Sequence, residues 1–552
     1  MRILIFHGYL LAGTGSNVYN ARLAEALVGL GHDVHLLSQD RHPEQHAFVD
    51  AVGDWDDGAL RVRELRAAGR HGGRCTVYRP DIGGLLPVYV ADRYEGIEAR
   101  TFARCSDVEL ADYVAANVRA VEQLVALAEP ELALANHLVM APLILARALP
   151  ARIPYAVKIH GSALEYTVKA QPERFLPPAR EGLAGARGIL VGSRHTGTSL
   201  WQALADPSLA ERTRLGPPGV DVRRFAPREE HAAAAGVRAL AARLRAEGGE
   251  RRRTRPHEDG ERRRTPPQDE PRGGTTPALS VFSREPALAA AALESLALDG
   301  GAADDLPVAF VGKLIVSKGI DLLLAAWPLV LASEPRARLV VVGFGAYRGA
   351  LERLRDALLA GDLAEVRGIA LAGRALEQGG EAPRPLRHLL AFLDGLGGEA
   401  AADYLRAART LGERVLFTGR LEHEELAELL PACRALVVPS TFPEAFGMVA
   451  AEAGACGVLP ISAAHSGLAE VSRELARAVP ATVVSSLSFP VDDDVVPALA
   501  ARVVEWLALD PGTRAQTRAG LVATVREQWS WDRVGAGVIA AAQGQLEGLR
   551  EP

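Results

Sequence analysis

A repeated alternation of short apolar segments with longer amphipathic ones constrains the fold of this chain more than any other feature. The chain opens with RILIF, passes through a glycine-containing loop into NVYNARLAEALVGLG, and continues with DVHLLS. The middle segment has apolar residues at three- and four-residue spacing and stops at Gly31, which is typical of a helix. Because two parallel strands need such a crossover between them, this opening predicts a β–α–β unit.

The alternation continues in two successive series. The first contains ELALAN, YAVKIHG and GILVGS, and the second contains PVAFVGK, ARLVVVGFG, RVLFTGR, ALVVPS and GVLPIS. These segments are continuously apolar, as are strands of a parallel sheet that helices cover on both faces. At 552 residues the chain is also too long for one ordinary domain. We therefore expect an α/β fold of two Rossmann-like parallel-sheet domains that face each other across a cleft.

Two insertions interrupt these series. Residues 227–305 include ERRRTRPHEDGERRRTPPQDEPRGGTTP, which is charged, rich in Pro and Gly, and without apolar periodicity. Its arginines alternate with acidic residues, which favours a disordered, solvated insertion over a patch for nucleic acid or an anionic membrane. A second insertion, 361–411, has a helical pattern. The predicted domains are then 1–226 and 306–532, with a C-terminal helix, 533–552, that crosses back to the first domain.

Composition limits the functional classes. The formal net charge of −6 provides no basic surplus for a nucleic-acid partner. The four cysteines form no Cys-x-x-Cys pair, so neither a zinc site nor a disulfide framework is indicated, and a reducing cytoplasm is expected. No stretch approaches eighteen uncharged apolar residues, so the chain is expected to be soluble.

Two glutamates bracket a predicted helix start in VVPSTFPEAFGMVAAEAGACG. The helix is expected to begin at about Gly447, which leaves Glu444 in the preceding loop and Glu452 about 7 to 8 Å further along the axis. Carboxylates accept hydrogen bonds from vicinal diols, so the pair could hold two ends of one sugar-containing ligand. Alternatively, Glu444 complements the helix dipole and Glu452 is a solvated helix position. These residues alone leave both interpretations open.

Two lysines follow the first strand of the second series. In PVAFVGKLIVSKGIDLLLAAW, Lys313 and Lys318 lie on a predicted β–α loop, with Gly319 opening the next helix. Either lysine alone is most simply a surface charge. Two ammonium groups at the carboxyl end of a strand suit a diphosphate, because open α/β sheets bind ligands at that edge.

The order of these motifs resembles the retaining glycosyltransferases of family 4 (glycosyl transferase group 1), which have the GT-B fold. The resemblance begins with Lys313-x4-Lys318-Gly319 followed by Glu444-x7-Glu452. Further matching segments are LAEALVGLGHDVHLLS, VKIHG, RLGPPGVDVRRFAP, WSWDRVGAGVIAA and, as the longest, VLFTGRLEHEELAELLPACRALVVPSTFPEAFGMVAAEAGACG. Together they cover most of the chain outside the two insertions. Lys313 departs from the family, which commonly has Arg there.

The resemblance implies roles for individual residues. Glu444 would contact hydroxyls of the transferred sugar, Glu452 would accept the ribose hydroxyls, and the two lysines would neutralise the diphosphate without a metal. His160 would lie near the sugar and the acceptor, although a satisfied core histidine is the alternative. The implied catalytic residues are Glu444, His160 and Lys318, and the implied donor-binding residues are Lys313, Lys318, Glu452, Phe446, Gly447, Met448, Gly13, Gly15 and Leu421.

The expected activity is transfer of a hexose, with retained anomeric configuration, from a nucleotide diphosphate sugar to a hydroxyl of a glycan, lipid or small molecule. No cofactor beyond this co-substrate and no nucleic-acid partner is expected. Peripheral association with the inner membrane face, the acceptor and the oligomeric state stay open. One alternative is an NAD-dependent dehydrogenase that uses AGTGSN with Asp40. The other is a non-catalytic nucleotide-sugar-binding protein that acts through its arginine-rich insertion.

Overall fold

The structure is a computed structural model that describes residues 1–13, 15–66, 72–89, 97–253, 284–298, 304–377 and 383–552, with the backbone alone for 249–253. The chain forms two compact units. Unit 1 consists of Met1–Asp221, Glu444–Met448 and Glu527–Pro552, and unit 2 consists of Val222–Pro443 and Val449–Arg526.

The first 221 residues of unit 1 alternate strands with helices. The strands are β1 Arg2–Phe6, β2 Asp33–Leu37, β3 Ala51–Asp56, β4 Ala59–Glu64, β5 Arg74–Arg79, β6 Leu85–Val88, β7 Glu98–Thr101, β8 Leu132–Asn136, β9 Tyr155–Ile159, β10 Gly188–Val191 and β11 Thr213–Leu215. The helices are α1 Gly15–Gly29, α2 Asp107–Ala128, α3 Ala141–Ala148, α4 Gly161–Ala163, α5 Pro172–Ala184, α6 Arg194–Leu204 and α7 Ser208–Arg212.

The main sheet of unit 1 has the strand order β11-β10-β9-β8-β1-β2-β5-β3-β4. Its strands pair in parallel except at the β4 edge, where β3 and β4 form an antiparallel hairpin. Asp57 (φ 49°) and Gly58 (φ 77°) make its two-residue turn, because an Asp-Gly pair readily adopts two successive positive φ values. The sheet is therefore parallel apart from this hairpin at its edge. Strands β6 and β7 pair separately.

Both faces of the unit 1 sheet are buried at its central strands, as the continuous apolar segments predict, whereas the edge strand β4 is mostly exposed. Along β1, Leu4 and Phe6 join one core cluster, and Ile3 and Ile5 join the other. Side chains alternate across a strand, so helices must cover both faces. Helix α2 covers the first face and α1 the second.

Unit 2 contains a second parallel sheet. Its strands are β12 Leu306–Val311, β13 Ala337–Val342, β14 Val415–Gly419, β15 Ala435–Val438, β16 Leu459–Ala463 and β17 Ser488–Phe489. Its helices are α8 Glu230–Arg253, α9 Pro286–Glu294, α10 Ile320–Ser333, α11 Arg348–Ala360, α12 Leu363–Ala372, α13 Arg387–Gly395, α14 Gly398–Ala408, α15 Leu411–Arg414, α16 His423–Leu429, α18 Ser466–Ala476, α19 Val495–Leu507, and most of α17 Met448–Ala455 and of α20 Pro511–Trp529.

The order of the unit 2 sheet is β14-β13-β12-β15-β16-β17. From β12 the chain continues to β13 on one side, whereas the later strands β15 and β16 lie on the other. The crevice at the carboxyl ends of β12 and β15 is therefore a topological switch point, where open α/β sheets bind ligands.

The insertion that the sequence predicts to be disordered, 227–305, has a helix at each end. Residues 230–253 and 286–294 form α8 and α9, which pack against each other. Apolar residues at helical spacing explain this packing, since Val237, Leu240 and Leu244 of α8 are all buried. The arginine- and proline-rich centre, 254–283, lies outside the described residues.

The second insertion is helical, as its pattern predicts. It contains α12, α13 and α14, and the hydroxyl of Tyr404 on α14 donates a 2.9 Å hydrogen bond to the carbonyl of Ala325 on α10. Within the described residues, none of the helices combines the length and apolar character that a membrane crossing requires.

The chain returns to unit 1 at Glu527 and ends with helix α21, Trp531–Gln543. Trp531, Val538 and Ala541 of this helix join the unit 1 core beside Ile3 and Ile5. The helix thus completes the cover over one face of the unit 1 sheet. The numerical domain boundaries drawn from the sequence remain predictions.

Candidate functional site

The loop that carries both predicted lysines is residues 312–319, called here the lysine loop. The backbone N–H of Gly312 donates to the carbonyl of Val342 at 3.1 Å, and that of Leu314 donates to the carbonyl of Phe344 at 2.8 Å. These bonds attach the loop to the exit of β13, and Leu314 is fully buried. The Lys313 side chain next to it is exposed. The loop is therefore anchored by its backbone while one ammonium group faces solvent.

Lys318 ends a short 3-10 helix, Val316–Lys318, directly before α10. The following residue, Gly319, has φ 66°, and a Cβ there would lie 2.0 Å from the carbonyl oxygen of Pro439. Only glycine fits such a close approach to backbone at positive φ. Lys318 and Gly319 thus directly precede the amino end of α10.

The lysine loop is bonded to the segment that leaves β15. The N–H of Thr441 donates to the carbonyl of Ser317 at 2.9 Å. Thr441 lies three residues before Glu444, and β12 and β15 are neighbours in the sheet. The structure therefore brings the lysine motif next to the segment that leads into the glutamate motif.

Glu452 is buried on α17, with 4% of its surface exposed. Its Oε1 lies 2.7 Å from Nε2 of His423, the first residue of α16. The alternative of a solvated helix position is therefore wrong. The imidazole packs edge to face on buried Phe225, with ring centroids 4.7 Å apart, and predicted Leu421 is buried two residues before it. The pair orients one carboxylate oxygen of Glu452.

Sequence reasoning missed His423. The available signal was the EHEE pattern after RVLFTGR, which indicates a helix start: Glu422 and Glu425 form a capping box there. That pattern predicts the helix but gives no partner for the histidine, since Glu452 lies 29 residues further along the chain.

Residues 444–448 belong to unit 1. Gly447 has φ 105° and precedes α17, so the helix starts where the sequence predicts. Phe446 is buried, and its ring meets that of Trp529 edge to face at 5.3 Å. Glu444 and Met448 are both partly exposed. The turn at Gly447 thus separates a fixed aromatic anchor from the first residue of the helix.

Ala445 places this segment beside the loops after β9 and β10. A Cβ on Gly161 would lie 3.6 Å from Cβ of Ala445, and one on Gly192 would lie 2.9 Å from its carbonyl oxygen. Gly161 directly follows His160, and Ala445 directly follows Glu444. The structure therefore brings predicted residues Glu444 and His160 into the same part of unit 1. Predicted residues Lys313, Lys318, Glu452 and Leu421 belong to unit 2.

His160 is partly exposed and hydrogen bonded at one nitrogen. Its Nε2 lies 3.0 Å from Oδ1 of Asn136, the last residue of β8. Burial of the ring, followed by the nearby His137 and Lys158, holds the pKa of His160 well below its ordinary value. The ring is therefore neutral at pH 7. His160 is hydrogen bonded, as a core histidine would be, and it is also accessible, as a site residue would be. Its functional role stays a prediction.

Two further histidines join His160 in what we call the histidine row: His7, His137 and His160. Each directly follows one of the adjacent strands β1, β8 and β9. The ring of His137 lies 4.7 Å from that of His160 and 6.1 Å from that of His7, measured between centroids. Sequence reasoning singled out only His160, although RILIFH and ELALANH carried the same signal. A histidine after each of three parallel strands places all three at one sheet edge.

His137 is the strained member of the row. It has φ 69° and is 1% exposed, and neither ring nitrogen has a hydrogen-bond partner among the described residues. Burial, with the nearby His7, holds its pKa well below the ordinary value. The ring is therefore a neutral, buried polar group.

The glycine loop before α1 is closed by Asp40. Gly13 has φ 96°, Gly15 begins α1, and a Cβ on either would meet none of the described residues within 4 Å. The two carboxylate oxygens of Asp40 accept hydrogen bonds from the backbone N–H groups of Leu11, at 2.8 Å, and His42, at 2.9 Å. The carboxylate of Asp40 thus stabilises the backbone of this loop. The dehydrogenase hypothesis requires the same carboxylate to bind a ribose, so this arrangement argues against that hypothesis.

Two family models match the chain. The model described as glycosyl transferase 4-like domain matches residues 14–208, and the model described as glycosyl transferases group 1 matches residues 388–485. Together they span more than half of the chain, one in each predicted domain.

The curated relatives are glycosyltransferases. The chain is 28% identical over 242 residues to a GDP-mannose-dependent monoacylated alpha-(1-6)-phosphatidylinositol monomannoside mannosyltransferase of Corynebacterium glutamicum, covering 43% of this chain and 46% of the relative. It is 32% identical over 200 residues to D-inositol 3-phosphate glycosyltransferase 1 of Catenulispora acidiphila, covering 35% and 45%. The chain thus spans about half the length of the curated relatives that it matches.

Solved structures show the same fold. Sucrose-phosphate synthase of Thermosynechococcus elongatus has a TM-score of 0.51 at 19% identity, covering 99% of this chain and 98% of that one. HepE of Anabaena, solved in complex with UDP and glucose, has a TM-score of 0.51 at 16% identity, covering 98% and 99%. The family and fold that the motifs predict are confirmed: the chain belongs to glycosyltransferase family 4, the group 1 glycosyl transferases, and has the GT-B fold.

Proposed function

We propose that the protein transfers a hexose from a nucleotide diphosphate sugar to an acceptor hydroxyl, with retention of the anomeric configuration. The observation that carries this proposal is the hydrogen bond from Thr441 to Ser317, which joins the lysine loop to the segment leading into Glu444. That junction lies at the switch point between β12 and β15, where the fold class binds its ligands. The complex of HepE with UDP and glucose supports a nucleotide-sugar donor for the fold.

The lysine loop would bind the diphosphate. Lys313 and Lys318 provide two positive charges, and the amino end of α10 adds its partial positive charge at the same place. When the bond between the anomeric carbon and the phosphate oxygen breaks, the nucleotide gains negative charge. Fixed cations there stabilise that charge electrostatically, so the chemistry proposed here uses no metal ion.

Glu452 would bind the ribose. The bond to His423 holds one carboxylate oxygen, and the second oxygen can accept from a ribose hydroxyl. A buried carboxylate that is already oriented loses little conformational entropy when a diol binds. Glu452 therefore suits recognition of the nucleoside better than proton transfer.

Glu444 and His160 would bind the transferred sugar and the acceptor. In the mechanism that we favour, the acceptor oxygen forms its bond to the anomeric carbon on the face that the nucleotide leaves. The acceptor proton passes to a phosphate oxygen of the departing nucleoside diphosphate. His160, whose pKa lies well below its ordinary value, stays neutral and can donate or accept a hydrogen bond beside the reacting atoms.

A donor panel tests the activity. UDP-, GDP- and ADP-sugars are incubated with the protein, and release of free nucleotide is followed with water as the acceptor. We expect slow hydrolysis of one donor, abolished in Glu444→Ala and much weakened in Lys318→Ala. Lys169→Ala is the control, because the ammonium group of that lysine is bonded to Glu165 and Ser199 in unit 1 and the lysine belongs to neither predicted motif. The proposal fails if no donor binds or releases nucleotide, and binding without release would identify a non-catalytic binding protein.

The stereochemistry and metal requirement need separate measurements. Retention predicts that the first sugar released has the anomeric configuration of the donor, which NMR can detect before mutarotation. Activity should persist in EDTA. An acceptor screen should include phosphatidylinositol-linked and inositol phosphate substrates, because the names of the curated relatives contain these groups. Binding to lipid vesicles would test peripheral membrane association.

A further inference from the structure

The second insertion, 361–411, contacts the lysine loop through the carboxylate of Glu377. Glu377 directly follows a 3-10 helix, Arg374–Leu376, and its side chain accepts a hydrogen bond from the backbone N–H of Val316. Val316 opens the 3-10 helix that ends at Lys318. An N–H group in the first turn of such a helix has no partner within the helix. Glu377 therefore supplies that partner from outside the loop.

The segment before Glu377 is held by backbone contacts between Gly373, Arg374 and Arg384. Gly373 has φ 53° and forms a bridge with Arg384, and a Cβ on Gly373 would lie 1.9 Å from the carbonyl oxygen of Arg384. The N–H of Arg374 donates to the same carbonyl at 3.2 Å. Gly373 itself continues from α12, since its N–H donates to the carbonyl of Ile369 at 2.9 Å. The segment that presents Glu377 is thus tied at its start to the rest of the insertion.

The insertion is also fastened to the helix that follows the lysine loop. The bond from Tyr404 to Ala325 joins α14 to α10, and α13 packs on α10 as well. The insertion therefore contacts the lysine loop at Val316 and supports the helix that begins just after Lys318. These are two separate attachments, one to the lysine loop and one to the helix that follows it.

We propose that Glu377 is a positioning residue that holds the lysine loop in its diphosphate-binding form, which gives the 361–411 insertion a role in donor affinity. This inference rests on the proposed function. A loop held in place before binding loses less conformational entropy when the ligand arrives. The effect should fall on the diphosphate, because the loop carries Lys313 and Lys318, while the ribose is assigned to Glu452.

The test compares binding of a nucleoside diphosphate with binding of the matching monophosphate. Equilibrium titrations use UDP and UMP, GDP and GMP, or ADP and AMP, according to the donor that the panel identifies. In Glu377→Ala we expect about tenfold weaker diphosphate binding and less than about twofold change for the monophosphate. Glu377→Gln keeps an oxygen acceptor for the Val316 N–H and should restore most of the affinity. Glu399→Ala, an exposed acidic residue of the same insertion, should match the wild type.

Three other results of these titrations would overturn the role proposed for Glu377. Equal losses for diphosphate and monophosphate would show a general structural role and overturn the inference. Unchanged or tighter diphosphate binding in Glu377→Ala would also overturn it, the latter because Glu377 would then compete with phosphate for the loop. If the wild type binds none of the nucleotides, the proposed function itself fails and the inference fails with it.

Discussion

The buried carboxylate of Glu452 lies 2.7 Å from Nε2 of His423, a residue 29 positions earlier in the chain. The two side chains come from different helices, α17 and α16, and the imidazole rests on the fully buried ring of Phe225. A carboxylate removed from water needs such a partner, because an unpaired buried charge is costly. The contact with His423 therefore stabilises the buried carboxylate of Glu452 and also orients it as ribose binding would need.

Replacing His423 should lower both the stability of the protein and its affinity for the nucleotide. We expect His423→Ala to lower the free energy of unfolding by about 1–3 kcal/mol, since it leaves a buried carboxylate without its partner. Nucleotide affinity should fall about tenfold. His423→Gln, which keeps an N–H donor, should lose less of both, and exposed His231→Ala should change neither. Chemical denaturation and nucleotide titration measure the two effects, and unchanged nucleotide affinity in His423→Ala would remove the ribose assignment.

Gly319→Ala should disturb the lysine loop. The added Cβ would lie 2.0 Å from the Pro439 carbonyl at φ 66°, so the backbone must shift. We expect a loss of stability of about 1–3 kcal/mol and a marked loss of nucleoside diphosphate binding. Gly349→Ala in α11 is the matched control: a Cβ there has no neighbour within 4 Å in the described part of the chain, and alanine favours a helix. Thermal unfolding and titration of both variants provide the comparison, and equal behaviour would contradict the described close approach.

Asp321 should make stability decrease with rising pH. It lies in the first turn of α10, its Oδ1 is buried without a hydrogen-bond partner among the described residues, and burial raises its pKa to about 7. Between the ordinary pKa of Asp, about 4, and pH 7 the folded state binds the proton that the unfolded state has released. Stability therefore falls through this window, by an amount on the order of a few kcal/mol. Asp321→Asn should remove this fall, as measured by denaturation at pH 5 and pH 8.

Lys158 should have the opposite dependence. Its ammonium group is buried in unit 1 and donates to the carbonyl of Gly216 at 2.6 Å, and burial lowers its pKa to about 7. Between pH 7 and about 10.4, the ordinary value, the unfolded state binds the proton that the folded state has released, so stability rises with pH. Lys158→Met should flatten this rise. A pH series of denaturation curves from pH 7 to 10 checks it, and an unchanged slope in the variant would contradict the assignment.

Several features of fold and site were predictable from local sequence. Continuous apolar runs predict strands buried on both faces, and all the runs named in the two series are strands. Pro443 and Gly447 disfavour a helix between Thr441 and Phe446, which predicts the helix start directly before Met448. The Lys313–Lys318 spacing on a β–α loop predicts two charges at a sheet edge. Each of these depends on residues within about one turn of helix or one strand.

Other features were decided by tertiary structure. The insertion helix α8 forms because Val237, Leu240 and Leu244 find a surface to pack against, which composition alone does not reveal. The strand order brings His7, His137 and His160 to one edge. Likewise, the buried carboxylate of Glu452 has a partner because α16 places His423 beside it. The backbone N–H of Val316 has an acceptor because the second insertion places Glu377 beside it.

The sequence by itself thus determined which segments become strands and helices and which charged residues follow them, since backbone preference and hydrophobic periodicity act over short distances. Only the tertiary structure decided the partners of those residues. A side chain's partner depends on strand order and helix packing between segments far apart in the chain, and no local pattern records which distant group fills the space beside it.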